Sequence, residues 1–121
     1  MINFFKNKKS KSCNLSAPTE IDGQLVLDVY KKTNEIIVQS TVAGVSPENV
    51  EIFFGGNILT VQGSRHRHEN IPEENFYHQE CYFGSFSRSI KIPEDIEPKK
   101  ISASLENGIL TIKLPLKNSN S

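Results

Sequence analysis

The sequence predicts an all-β fold, an immunoglobulin-like β-sandwich, and three observations carry that expectation. Short runs rich in Val, Ile and Thr alternate apolar with polar residues. Turn-forming Gly, Asn and Pro residues separate those runs, and no stretch sustains a 3.6-residue apolar period. A length of 121 residues fits one domain around one core.

Leu25–Tyr30 (LVLDVY) and Glu35–Ala43 (EIIVQSTVA) are the first two expected strands, joined by the polar Lys31–Asn34 segment. Asn49–Phe54 alternates Val50, Ile52 and Phe54 on one face, and Ile58–Val61 follows across Gly55-Gly56-Asn57, a hairpin turn tolerant of positive φ. Tyr82–Ile92 alternates through Phe86, Ile90 and Ile92 and stops at Pro93. Ile101–Leu105 and Ile109–Leu114 flank a second hairpin turn, Glu106-Asn107-Gly108. Pro47 and Pro98 fall in connections, where a missing N–H does no harm.

The segments 49–63 and 100–114 echo each other at a constant offset of 51 residues: Val50 matches Ile101, Ile52 Ala103, Phe54 Leu105, Leu59 Leu110 and Val61 Ile112. Each copy is a hairpin with one apolar face. Neither can bury that face alone, so the two are expected in opposing sheets.

Residues 1–21 read as a flexible arm, 22–116 as the folded domain with a long loop at 64–80, and 117–121 as a short solvated tail. The arm places Lys6, Lys8, Lys9 and Lys11 among Asn and Ser, too polar to pack; Ile2, Phe4 and Phe5 are its adhesive exceptions. Composition excludes several classes. Fourteen basic residues balance fourteen acidic ones, which argues against a nucleic-acid surface. No run reaches the ~20 apolar residues of a membrane-spanning helix. Met1–Cys13 lacks a secretory h-region, and two cysteines, Cys13 and Cys81, make no disulfide framework, so a reducing cytoplasm is expected.

Ala103-Ser104-Leu105-Glu106-Asn107-Gly108-Ile109-Leu110, continued by Thr111-Ile112-Lys113-Leu114-Pro115, resembles the signature that closes the α-crystallin domain of small heat shock proteins. Three further segments resemble that family in order and spacing. They are Val42-Ala43-Gly44-Val45 with Pro47–Ile52, Asn57–Gly63, and Tyr82–Arg88 with Ile92-Pro93. The likeness spans about residues 21–116 and is of the bacterial and plant type. Ala43 departs from it where the family usually has Pro. No Ile-x-Ile/Val motif follows the last strand, although in the family that motif docks between two edge strands of a neighbour. Leu114-Pro115-Leu116 has similar chemistry but lies on the final strand, with five residues after it. A dimer is therefore expected, with larger assemblies left open.

The resemblance implies an ATP-independent holdase, not an enzyme, whose partners are non-native client proteins and a second copy of itself. It also implies that Asn75, Phe76, Tyr77, His78 and Gln79, in the Ser64–Glu80 loop, form a short strand. That strand would pair with the partner's Leu25–Tyr30 edge, with Leu25, Val26 and Leu27 in the interface. Strand addition of this kind satisfies open backbone groups. Arg88 alternates with Phe86 and Ile90 on a face expected to be buried; it needs a partner, and the resemblance puts an arginine near here at the dimer interface. The strands near 50–54 and 101–105 are the remaining expected edges. Their inward residues Val50, Ile52, Phe54, Ile101, Ala103 and Leu105 would line a cleft that, with Ile2, Phe4 and Phe5, grips exposed apolar segments. No cofactor is expected, since no G-x-x-x-x-G-K-[ST] phosphate loop occurs.

Three rivals remain. A metal module would use His66, His68, His78 and Cys81, an N/S set of the kind zinc accepts. A p23-type co-chaperone would use a similar sandwich to bind another chaperone instead of clients. An enzyme would need a nucleophile–base pair or a phosphate loop, and neither stands out.

Overall fold

The computed structural model describes residues 25–117. Ile2, Phe4 and Phe5, the rest of the expected arm, Cys13 and residues 118–121 lie outside the described residues. Seven strands follow in chain order: β1 (Asp28–Lys32), β2 (Glu35–Thr41), β3 (Val50–Gly55), β4 (Ile58–Arg65), β5 (Gly84–Lys91), β6 (Ser102–Glu106) and β7 (Ile109–Pro115). They form two antiparallel sheets, β1-β2-β7-β6 and β3-β4-β5. Among the described residues no helix is long and apolar enough to cross a membrane.

The echoed hairpins do sit in opposing sheets. In each, two residues with positive φ reverse the chain: Gly56 (59°) with Asn57 (64°), and Asn107 (53°) with Gly108 (78°). Both central residues of such a turn are left-handed, which matches the twist of the flanking strands and is adopted most readily by Gly and Asn. Pro47 and Pro98 each start a short 3₁₀ turn, Pro47–Asn49 before β3 and Pro98–Lys100 before β6. The fixed φ of proline suits that position.

Period-2 alternation packs one face of each sheet against the other. Val50, Ile52 and Phe54 of β3, Leu59 and Val61 of β4, and Phe86 of β5 meet Ile36 and Val38 of β2, Leu110, Ile112 and Leu114 of β7, and Ala103 of β6. Leu25, Val42, Val45, Ile92, Ile96 and Ile101 close the ends of this core.

Several expected boundaries shift. Leu25–Leu27 precede β1 and are extended without ladder pairing, while Lys31 and Lys32 belong to the strand and turn at Thr33-Asn34. Side chains hold that approach segment instead: Ser40 Oγ donates to the Val26 carbonyl at 2.8 Å, and an Arg88 nitrogen donates to the Leu25 carbonyl at 2.7 Å. β5 begins at Gly84, two residues later than expected. Tyr82 curls back so that its hydroxyl donates to the Ser85 carbonyl at 2.5 Å, which keeps it out of the ladder. β4 runs on to Arg65, so the long connection is 66–83 and not Ser64–Glu80. The segment Leu114-Pro115-Leu116 is consumed within the chain. Leu116 bridges Ile96 and donates its backbone N–H to the Asn34 carbonyl at 2.9 Å.

Candidate functional site

Two rims flank the sandwich, and two side-chain ties show which edges share one. Arg88, on β5, reaches the Leu25 carbonyl, and Lys31, on β1, lies 2.8 Å from the Glu94 carboxylate just past β5. The β1 and β5 edges therefore share one rim, and β3 and β6, the opposite outer strands of the two sheets, share the other.

At the β3/β6 rim the six expected residues do come together. Val50, Ile52, Phe54, Ile101 and Ala103 are buried, and Leu105 is half-buried against them. They belong to the core of the single chain, so these side chains fill the space between the sheets instead of lining an open cleft. What the rim offers is two outer strands with an apolar row directly behind them and the partly exposed Leu105 between them.

The opposite rim carries the residues expected at a dimer interface. All five residues of β1 are exposed. Val26, Val29 and Tyr30 stay 63%, 45% and 44% exposed, apolar area concentrated on one edge. Leu25 is buried and Leu27 packs partly on the core, so of the three expected contact residues Val26 alone is open. Arg88 departs from its expected burial: it shares the face of Phe86, but β5 is the edge strand and the facing sheet ends beside it, leaving the residue exposed. Among the described residues the partner it finds is the Leu25 backbone carbonyl.

The 66–83 connection leads from β4 into β5, one of the two strands of this rim. Asn75–Gln79 forms no strand in the single chain. Asn75 ends a 3₁₀ turn (Glu73–Asn75), and Phe76–Gln79 runs irregularly, with no strand among the described residues paired to it. Tyr77 projects fully into solvent. Two arginines that alternate out of β4, missed in the sequence reading, organise the roots of this loop. Arg65 donates from Nε to the Ala43 carbonyl at 2.9 Å and from Nη1 to the Tyr82 carbonyl at 3.2 Å. The Arg67 guanidinium lies 5.1 Å from the Phe76 ring centre and 4.2 Å from that of Phe83. Their signal was present as Arg-x-Arg leaving a strand toward a loop bounded by aromatics.

The metal-ligand candidates are not assembled. His66 Nε2 lies 2.9 Å from Ser64 Oγ, His78 Nε2 lies 2.9 Å from a Glu80 carboxylate oxygen, and Cys81 is an exposed free thiol. Among the described residues no three His, Cys, Asp or Glu side chains gather closely enough to hold a metal ion.

The two-sheet sandwich with these edges defines an α-crystallin-type domain, and comparison with known proteins agrees. Residues 16–121 match the Hsp20/alpha crystallin family. The chain is 29% identical over 116 residues to small heat shock protein C4 of Rickettsia felis, covering 93% of this chain and 71% of that protein. It is 35% identical over 100 residues to heat shock protein 16 of Schizosaccharomyces pombe, covering 79% and 70%. Against spore protein SP21 of Stigmatella aurantiaca it spans about half of the relative's length, 52%. Among solved structures, heat shock protein 16.0 from S. pombe superposes with a TM-score of 0.73 at 30% identity, covering 83% of this chain and 93% of that one. The Xanthomonas axonopodis hspA structure gives 0.72 at 25%, covering 79% and 96%. This chain belongs to the Hsp20/alpha crystallin family, a family of small heat shock chaperones and not of enzymes.

Proposed function

We propose that this chain is an ATP-independent holdase that binds apolar segments of unfolding proteins at the β3/β6 rim and so prevents their aggregation. The observation that carries the reading is the pairing of two outer strands on one rim with a shared apolar row behind them. A client segment adds to either strand edge through backbone hydrogen bonds and lays its side chains over Leu105. Apolar burial contributes roughly 25 cal/mol per Å² and has no directional preference, so many client sequences are tolerated and binding stays reversible. Val50, Ile52, Phe54, Ile101 and Ala103 support that contact from behind, and Ile2, Phe4 and Phe5 supply further adhesive surface.

The working unit in this reading is a homodimer in the cytoplasm. The 66–83 loop of one copy reaches the β1 side of the other, with Asn75, Phe76, Tyr77, His78 and Gln79 converting to a strand along Leu25, Val26 and Leu27. Exposed Val26 just before β1, exposed Val29 and Tyr30 on it, and the fully exposed Tyr77 on the loop support it. Arg88, which already grips the Leu25 carbonyl, would anchor that edge.

Heating an aggregation-prone client with the chain, without nucleotide, tests the function. Light scattering should fall in proportion to added chain and be abolished near equimolar subunits. Unchanged scattering at several-fold molar excess would defeat the holdase reading and return the p23-type alternative.

A further inference from the structure

We infer that Arg67 is a positioning residue: by clasping Phe76 and Phe83 it holds the 66–83 loop ready for exchange with a second copy. The inference rests on the proposed dimer and adds to it the device that presents the exchanging segment.

A connection of this length would ordinarily sample many conformations, and ordering it on association would weaken binding. Here it is pinched. Arg67 lies just past the end of β4 and Phe83 just before the start of β5, so the contact between them closes the two roots of the loop. Phe76, from mid-loop, comes to the same guanidinium. Both rings lie within the ~6 Å over which a cation is attracted to an aromatic face. The three residues thus divide the loop into a lobe of 68–75, containing the 3₁₀ turn, and a lobe of 77–82. Tyr77–Gln79, the heart of the segment expected to pair, leaves directly from the pinch with Tyr77 fully exposed.

The C-terminal root is fixed independently. The Arg65 bond to the Tyr82 carbonyl and the Tyr82 hydroxyl bond to Ser85 hold residues 82–85 whether or not Arg67 is present. Loss of the clasp therefore frees the 68–81 arc and leaves the sandwich intact. That separation makes a positioning role distinguishable from a folding role.

The test uses full-length Arg67→Ala, Arg67→Lys, Phe83→Leu and the Arg67→Ala/Phe83→Leu double variant. Dimer dissociation is measured by sedimentation across a dilution series, and amide exchange is followed in the loop and in β4 and β5. Removing two cation–π contacts should weaken the dimer about tenfold, with Arg67→Lys retaining part of the affinity. Exchange should quicken at 68–81 and stay unchanged in β4 and β5. The double variant should dimerise as Arg67→Ala does, since Phe83→Leu breaks a contact that Arg67→Ala has already removed. Unchanged dissociation in Arg67→Ala, or fully additive losses in the double variant, overturns the clasp while leaving the dimer standing. Equal loss of protection in β4 and β5 makes Arg67 a folding residue and also overturns it. A wild-type chain that is monomeric at every concentration removes the dimer and the clasp together.

Discussion

Replacing Gly63 by alanine tests how closely the chain is packed where β3 leaves its 3₁₀ turn. Gly63 lies in register with Val50 on one side and Phe86 on the other, both buried, so its missing side chain would point into the core. A Cβ built there stands 2.3 Å from the Asn49 carbonyl oxygen and 2.9 Å from Phe86 Cζ, where real contacts stay above 3.0 Å. The Phe86 ring can shift. The Asn49 carbonyl cannot move without its backbone, and Asn49 ends the turn that delivers β3 to its rim. Overpacking costs about 1–3 kcal/mol, and a backbone obstacle puts this case in the upper part of that range. For a domain of about 100 residues, roughly 2–3 kcal/mol lowers Tm by about 10–20 °C. Calorimetry at matched protein concentration reads the shift, because association would otherwise move Tm as well. Gly55→Ala is the control. Its Cβ would meet nothing within 4 Å and its φ is not left-handed, so it should leave Tm unchanged or raise it slightly. A Gly63→Ala protein melting within about 2 °C of wild type would refute the packing argument.

Three further substitutions probe other parts of the account. Leu59 is fully buried between the sheets, and Leu59→Ala should cost about 3–5 kcal/mol, a large share of a small domain's stability, read by denaturant titration. Arg88→Ala removes the donor to the Leu25 carbonyl; a loss of about 1 kcal/mol is expected, with faster amide exchange confined to 25–27 and none in β6 or β7. The Lys31–Glu94 pair is exposed on both sides, so Lys31→Ala should change stability by no more than about 0.5 kcal/mol, and that difference should vanish in high salt.

The strands and their sheet partners were legible because their residues obey one rule, alternation, and because Asn and Gly mark the two hairpin turns. The echo between 49–63 and 100–114 implies that those hairpins lie in opposing sheets, as they do. The shifted boundaries have a different origin. Leu25–Leu27 is as β-prone as Asp28–Lys32, but its carbonyls at Leu25 and Val26 are taken by Arg88 and Ser40, residues distant in sequence, and the ladder starts at Asp28. Tyr82 looks like the start of a strand until its hydroxyl turns back to Ser85. Arg88 was placed on the correct face, but alternation reports the face and not the distance from the sheet's edge, so its exposure went unseen. Alternation puts the six β3/β6 residues on inward faces; that five of them are buried follows from how completely the sheets close, a property of packing that no single-strand pattern contains. Arg67 gives no such signal, because Phe76 lies in a stretch without periodicity and Phe83 falls inside the expected Tyr82–Ile92 strand, whereas β5 starts only at Gly84.

Photo-crosslinking during client unfolding tests the central claim most directly. A photoreactive side chain is placed at position 105, half-buried on the β3/β6 rim, or at position 109, where Ile109 is 41% exposed on the outer face of the same sheet. Client adducts should form predominantly from position 105 and only on heating. Equal or greater yield from position 109 would contradict the account, because exposure alone, and not the rim, would then govern capture.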